Sequence, residues 1–469
     1  MENNLKRGAI AHENWWEHAS GVMRFYPKAR GETLKDILDH LELVKEWGFD
    51  GIEVFAPYYG GMEYSGLDVM DYYQVDPAIG TMDDFLALVK ACHANDLAII
   101  AFVNLGYGAM DFPVFLKACD DLRLGVDNQE AHWFLWSDTG RETLDKSLAP
   151  HFMNDVHGGW HYSERAGKYY WVKWRGVHND VDLPQFNFGE PILRAEIEKA
   201  VEFWMATGID GMIIDAVNWY IHCNWGINNQ TMTDVVRRYP NQYLQPEGAG
   251  GFDDDPVLWI TEGHYNSVQD YGLSIWWADR YVLGNAILSG DPAGIEEALG
   301  AYRDRVVAAG GVTYIGPRWG TDMKRDAGLG NAQKLLEMAC IATIGELVHG
   351  DQVLLTLEWP EQDLHELKRI LRTLQNTTAL QAAGGRQKLP TNDDHKFYAL
   401  LRTSKDGSQK ALVVLNFQAE AQEVTVRLSQ PARLRPILVL GEGALPSETV
   451  TEARVQLPAY GYAVYELLS

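Results

Sequence analysis

A chain of 469 residues, 46% apolar and 22% charged, can bury a large core, which excludes wholesale disorder and leaves room for two or three domains. Its 40 basic and 65 acidic side chains leave a net charge of -25, which repels nucleic acid and anionic membrane surfaces and favours a neutral substrate or partner. No apolar run approaches the ~20 residues of a membrane span, the opening Met1-Glu-Asn-Asn-Leu-Lys-Arg lacks the apolar centre of a secretory signal, and Cys92, Cys119, Cys223 and Cys340 have no paired spacing, so reduced thiols in a cytoplasm are expected.

From about Val22 to Leu355, short strand-like apolar runs alternate with stretches of helical period, the pattern of repeated strand and helix units around a parallel sheet. The predicted strands are Val22 to Tyr26, Gly51 to Phe55, Ala98 to Val103, Gly211 to Asp215, Val257 to Glu262, Leu273 to Trp277, Val312 to Ile315 and Glu346 to His349. Eight such units close an α/β TIM barrel, (β/α)8 in form. Between the first two, Leu34 to Trp47 gathers Leu34, Ile37, Leu38, Leu41, Val44 and Trp47 on one helical face and stops before Gly48. The third and fourth strands lie about a hundred residues apart, too many for one connecting helix, so a subdomain over 107–182 is inserted after the third strand. Its aromatic planes, Trp133, Trp136, Trp160, Tyr169, Tyr170, Trp171 and Trp174, either stack on sugar faces or pack the subdomain itself. The barrel then comprises 1–106 and 183–378. Beyond Ala379 the period changes to two, in Phe397 to Thr403, Lys410 to Phe417, Glu423 to Leu428 and Gly461 to Leu468, which predicts a C-terminal antiparallel β-sandwich over 379–469.

Two acids end predicted strands: Asp215 closes Gly208-Ile-Asp-Gly-Met-Ile-Ile, and Glu262 closes Val257-Leu-Trp-Ile-Thr. Parallel barrels carry their active sites at the C-terminal tips of the strands. Two carboxyl groups there are what retaining glycoside cleavage requires, one as ionised nucleophile and one as proton donor to the leaving oxygen. Either acid alone serves equally well as a cap on the following helix.

Barrel, inserted subdomain and terminal sandwich together resemble the alpha-amylase superfamily, glycoside hydrolase family 13. The resemblance runs through Gly66-Leu-Asp-Val-Met-Asp-Tyr-Tyr-Gln-Val-Asp-Pro-Ala-Ile-Gly-Thr after the second strand, Leu183-Pro-Gln-Phe-Asn-Phe-Gly-Glu-Pro before the fourth, Gly208 to Val217, Val257 to Glu262, and Ile344-Gly-Glu-Leu-Val-His-Gly-Asp-Gln at the eighth. It implies Asp215 as nucleophile, Glu262 as general acid/base, and Asp68 with Tyr72 at the wall of the pocket for the terminal sugar. The nucleophile must stay ionised while the acid keeps its proton, so their environments must separate their pKa values. The chain departs from the family in three places. Ile213 stands where the family has an arginine two residues before the nucleophile; Val312-Thr-Tyr-Ile-Gly-Pro-Arg-Trp-Gly replaces an Asn-His-Asp segment; and Ala101-Phe-Val-Asn-Leu-Gly-Tyr keeps only Asn104 as a polar group.

Two readings accommodate these losses. One is a re-specified enzyme: Arg318 restores positive charge, His264 and His349 donate to sugar hydroxyls, and Trp219, Tyr220, Trp225 and Trp319 form apolar walls. The other is a catalytically inactive, amylase-like carbohydrate-binding or scaffold protein. Two retained buried carboxylates, which cost stability, favour the enzyme. The expectation is a retaining glycoside hydrolase or transglycosidase acting on a small alpha-glycoside, with an unusual glycone subsite. The first-strand loop Pro27-Lys-Ala-Arg-Gly-Glu offers little ligation for calcium, and Gly251-Phe-Asp-Asp-Asp-Pro reads as a solvated turn. Neither a phosphate-cradling glycine loop nor a serine nucleophile elbow is present, and no metal or cofactor is expected. Aromatic residues of the inserted segment suit a pocket or an interface between copies alike, leaving a homo-oligomer open.

Overall fold

The computed structural model describes residues 9–61, 65–152, 158–173, 182–251, 254–275, 280–317, 319, 328–441 and 449–468. Eight parallel strands form one sheet of the TIM-barrel kind: β1 (Gly21–Phe25), β2 (Gly51–Phe55), β3 (Ala98–Val103), β4 (Gly211–Ile214), β5 (Tyr243–Pro246), β6 (Ser267–Gln269), β7 (Val312–Ile315) and β8 (Leu347–Asp351). Their hydrogen-bonded order is β5-β4-β3-β2-β1-β8-β7-β6. Asn266, just before β6, reaches back to β5, its N–H donating to the Leu244 carbonyl at 3.1 Å while its Oδ1 accepts the Leu244 N–H. The strands are nearly continuous apolar runs, as sheets covered on both faces must be; every residue of β3 is buried.

Six of the strands lie where the sequence predicts them, and the helix Leu34–Trp47 has the predicted bounds. The fifth and sixth do not. Val257 to Glu262 is not a strand: Pro256–Thr261 is a short helix, started by Asp255, whose carboxylate accepts the Val257 N–H, and by Pro256 at the first helical position. The fifth strand is instead Tyr243-Leu-Gln-Pro, in which the Oε1 of buried Gln245 accepts from the Tyr243 hydroxyl at 2.8 Å. The sixth is Ser267–Gln269. Within the predicted Leu273 to Trp277, Ser274–Ile275 pairs with Arg280–Tyr281 in a separate two-stranded ribbon, and Trp277 lies outside the described residues.

The chain separates into two compact units, Met1–Arg24 with Glu42–Ile52 and Gln269–Ser469, and Phe25–Leu41 with Glu53–Val268. In the second unit, Trp136–Ser137, Gly158–Ser163 and Lys168–Lys173 form an antiparallel sheet, and Leu183–Pro184 adds to the far edge of Lys168–Lys173. Several of the aromatic residues for which stacking on sugar and internal packing were both open pack this region itself. Trp136 stacks on Phe115 at 5.8 Å and donates to the Ala131 carbonyl; Trp160 meets Trp171 edge to face at 5.3 Å and donates to the Glu142 carbonyl. Trp174 lies outside the described residues.

In the first unit, β9 (Gly385–Leu389), β10 (Phe397–Thr403), β11 (Lys410–Asn416), β12 (Gln422–Val439), β13 (Val450–Leu457) and β14 (Tyr462–Leu468) form a six-stranded antiparallel sheet. The long β12 folds it over: its first half pairs with β13, its second with β14, and the register shifts between Arg427 and Ala432. Val424, Val426 and Val455 from one layer meet Phe397, Val414 and Tyr465 from the other in a shared core. Among the described residues no helix is long and apolar enough to cross a membrane.

Candidate active site

Register decides which acids meet. Val103 pairs with Ile214 and Ile214 with Pro246, so the next residues, Asn104, Asp215 and Glu247, stand level at the tips of three adjacent parallel strands. Main-chain bonds carry the register one step further, from Asp215 N–H to the Val103 carbonyl and from Glu247 N–H to the Ile214 carbonyl, both 2.8 Å. Neighbouring strands lie about 4.8 Å apart, and residues level with one another project to the same face. Asp215 and Glu247 are therefore side by side.

The backbone after Asp215 is strained. Ala216 has φ 40° and ψ 44°, a left-handed conformation that costs a residue with a Cβ about 1 kcal/mol. This conformation aims the Ala216 N–H at Glu247, whose Oε2 accepts it at 2.9 Å. One oxygen of Glu247 is thereby fixed, and the sharp turn carries the chain into the 3-10 segment Val217–Trp219.

Lys173 lies against the acids from the inserted region. Its side chain is 1% exposed, and Nζ is 3.8 Å from Asp215 Oδ2. The ammonium also sits 4.5 Å from the centroid of Tyr107 and 5.6 Å from that of Tyr220. Burial lowers its pKa to about 8, while the negative charges of Asp215 and Glu247 oppose the fall. Burial, and then the charge of Asp215, pushes the Tyr220 phenol well above its usual range; burial, Tyr72, Asp215 and Asp68 do the same to Tyr58. Both phenols stay protonated. The Tyr220 ring packs so close to Gly106 that a Cβ there would lie 2.2 Å from it.

The other predicted site residues divide by role. Asp68 is fully buried beside Gly61, where a Cβ would fall 2.0 Å from its Oδ2. It lines a cavity of about 370 Å³ with Tyr59, Met70, Met110 and the Lys28–Asp76 ion pair. Asp215 and Glu247 are not in that lining. Tyr72 and Asn104 are brought close to the site but serve the protein. The Tyr72 hydroxyl donates to the Asn104 carbonyl at 3.0 Å; the Asn104 amide donates to the carbonyls of Leu67 and Tyr107 and accepts the N–H groups of Gly106 and Tyr107. Trp219 is 4% exposed, and its carbonyl accepts from Gln185 of the Leu-Pro-Gln segment, bracing the turn after Asp215.

Glu262 does not share the strand tips. It is exposed at the end of the Pro256–Thr261 helix, where its carbonyl accepts from Asn229 at 2.8 Å. His264, with φ 60°, faces Asp234 at 3.1 Å. Trp225 packs edge to face on Trp259 of the same helix. Trp319 and His349 belong to the first unit, Trp319 donating to Glu337 at 2.8 Å and His349 packing on Tyr314. Arg318 lies outside the described residues. Glu247 and Lys173 were not among the residues expected from the sequence; their signals were an acid directly after Tyr243-Leu-Gln-Pro and a lysine at the end of the aromatic strand Lys168–Lys173.

Among the described residues no group of three or more His, Cys, Asp or Glu side chains is placed to hold a metal ion. In the acidic turn, Asp254 accepts from Gly250 N–H and Trp259 Nε1, while Asp255 caps the helix.

A family model for the alpha amylase catalytic domain matches residues 17–257, and one for the maltogenic amylase C-terminal domain matches residues 387–464. Among curated proteins, the chain is 27% identical over 231 residues to a trehalose synthase/amylase of Mycobacterium tuberculosis, covering 48% of this chain and 36% of that protein. It is 29% identical over 215 residues to an alpha-glucosidase of Pediococcus pentosaceus, covering 44% and 36% respectively. The match thus spans about a third of the length of these curated relatives. Among solved structures, an alpha-amylase from H. orenii superposes with a TM-score of 0.74 at 17% identity, covering 96% of this chain and all of that one. A trehalulose synthase from Pseudomonas mesoacidophila gives 0.70 at 15% identity, covering 97% and 99%.

Proposed function

The chain belongs to the alpha-amylase family, and on that premise we propose that it is a retaining glycosidase or transglycosidase acting on the alpha-glycosidic bond of a small carbohydrate, with Asp215 as nucleophile and Glu247 as general acid/base. The observation that carries this reading is the shared level of the two acids on adjacent strands. Strand spacing near 4.8 Å suits the roughly 5 Å separation of a retaining pair, with no room for an intervening water. In the first step Asp215 attacks the anomeric carbon while Glu247 gives its proton to the departing glycosidic oxygen. In the second, Glu247 takes a proton from the acceptor, water or a sugar hydroxyl, which displaces Asp215.

The inner pocket is built differently from one that grips glucose through many polar groups. Among the described residues, Asn104 and Tyr72 are already engaged by the protein, while Asp68 faces a cavity. The substrate is accordingly a small glycoside whose glycone makes few charged contacts. The same scarcity is the observation favouring the second reading, a sugar-binding protein without turnover. On a panel of alpha-linked disaccharides, whose leaving oxygen needs a proton, Asp215→Asn and Glu247→Gln should each lower kcat/KM by at least about 10³-fold, and Glu262→Gln should leave it within about twofold. Loss with Glu262→Gln and retention with Glu247→Gln would reverse the assignment of the acid. Sugar binding without turnover by the wild type would establish the second reading.

A further inference from the structure

We propose that Lys173 is a positioning residue that supplies, from the inserted region, the positive charge holding Asp215 ionised and oriented, the part that the family resemblance gives to an arginine where this chain has Ile213. The inference rests on the reading of Asp215 as nucleophile. Ile213 is level with Phe102 on one side and Gln245 on the other, and Phe102 stacks on Phe55 at 4.8 Å. Neither neighbour of Ile213 in that layer is a cation, Phe102 being apolar and Gln245 a neutral amide that accepts from the Tyr243 hydroxyl. The charge comes from the other direction, with Lys173 Nζ 3.8 Å from Asp215 Oδ2.

The mount is rigid. Lys173 occupies a central strand, paired with Gly158 on one side and Leu183 on the other, so its backbone is held from both edges. Tyr107 and Tyr220 face the ammonium with their rings, and Asp215 and Glu247 face it with their carboxylates. A lysine buried to 1% costs desolvation that a merely structural position would fill with an apolar side chain. Its pKa of about 8 keeps it charged at neutral pH, when the nucleophile must be an anion. Glu247, fixed through Ala216 N–H, also feels this charge.

The free-enzyme pH profile reads the effect directly, because the acid limb of kcat/KM follows protonation of the nucleophile. Lys173→Met should move that limb upward by about one pH unit or more and lower kcat on the order of 100-fold with little change in KM. Lys173→Arg should return the limb toward the wild-type position. An acid limb unmoved in a folded Lys173→Met protein overturns the proposal. A second measurement needs neither turnover nor that variant: NMR titration of 13Cε-lysine-labelled wild type should show Lys173 changing protonation near pH 8, and lower in Asp215→Asn. If Lys173 titrates as an ordinary surface lysine, unaffected by Asp215→Asn, the pairing does not exist. Should the wild type cleave no glycoside, the catalytic reading fails while the titration still decides the ion pair.

Discussion

Asn104 commits all four hydrogen-bonding positions of its amide to Leu67, Gly106 and Tyr107, and it does so completely buried. A substrate hydroxyl would find it already occupied. Its task is to fold the loop after β3 so that Tyr107 lies under the Lys173 ammonium. Asn104→Ala should therefore lower unfolding stability by about 3 kcal/mol, because it leaves buried donors and acceptors without partners. Urea unfolding measures this, and a normal stability with a raised KM would mark Asn104 as a sugar ligand. Ala216 shows the same logic in the backbone, where a strained conformation persists because its N–H is held by Glu247.

At the scale of elements, β5 carried the weakest signal in the chain. Tyr243-Leu-Gln-Pro holds a buried glutamine and a terminal proline, whereas Val257-Leu-Trp-Ile-Thr is apolar and β-branched yet helical. For a run of five residues, periodicity cannot separate the two states, and Asp255-Pro256 was the local evidence for a helix. The shift of strand carries over to the acids: Asp215 follows a well-marked strand, whereas Glu262 ends a short helix and does not stand level with it. A buried acid pair flanks other strands of the sheet. Asp270 follows β6 and Glu346 precedes β8; desolvation raises Asp270 to about 6 and raises Glu346 well above the carboxylate range, with Arg303 3.9 Å from Glu346. Since the folded pKa of Asp270 exceeds its unfolded value, stability is lost as pH rises from about 4 through about 6, and the loss is complete above that window. Asp270→Asn keeps an acceptor for the Leu273 N–H and removes the charge. It should raise the Tm at pH 8 and not at pH 4, by on the order of 1–2 kcal/mol of stability, measurable by calorimetry at the two pH values. A gain at both values, or at neither, would show that the buried charge is not what costs stability.

For the whole molecule, the barrel and the terminal sheet were legible because both rest on repeated patterns: apolar runs separated by helices, and alternation of period two beyond Ala379. Gly385–Leu389 escaped because Leu389 is its one buried apolar residue, whereas Val450–Leu457 alternates buried Ala453, Val455 and Leu457 with exposed Arg454 and Gln456 and carried a legible signal that was passed over. Of the candidate site, the position of Asp215 after β4 and the family were legible. Its remaining parts come together through strand register and through a lysine from a distant segment, relations that a linear pattern does not contain. The claim on which the account turns is that Asp215 forms the covalent bond to sugar, with Glu247 beside it as proton donor. Trapping with a fluorinated alpha-glycosyl fluoride, followed by mass spectrometry of the digested protein, tests it most directly. One sugar per chain is expected on the peptide carrying Asp215, absent in Asp215→Asn and formed still when the acid/base is removed in Glu247→Gln, since fluoride leaves without a proton. A label on any other carboxylate, or turnover with no adduct at Asp215, would contradict it.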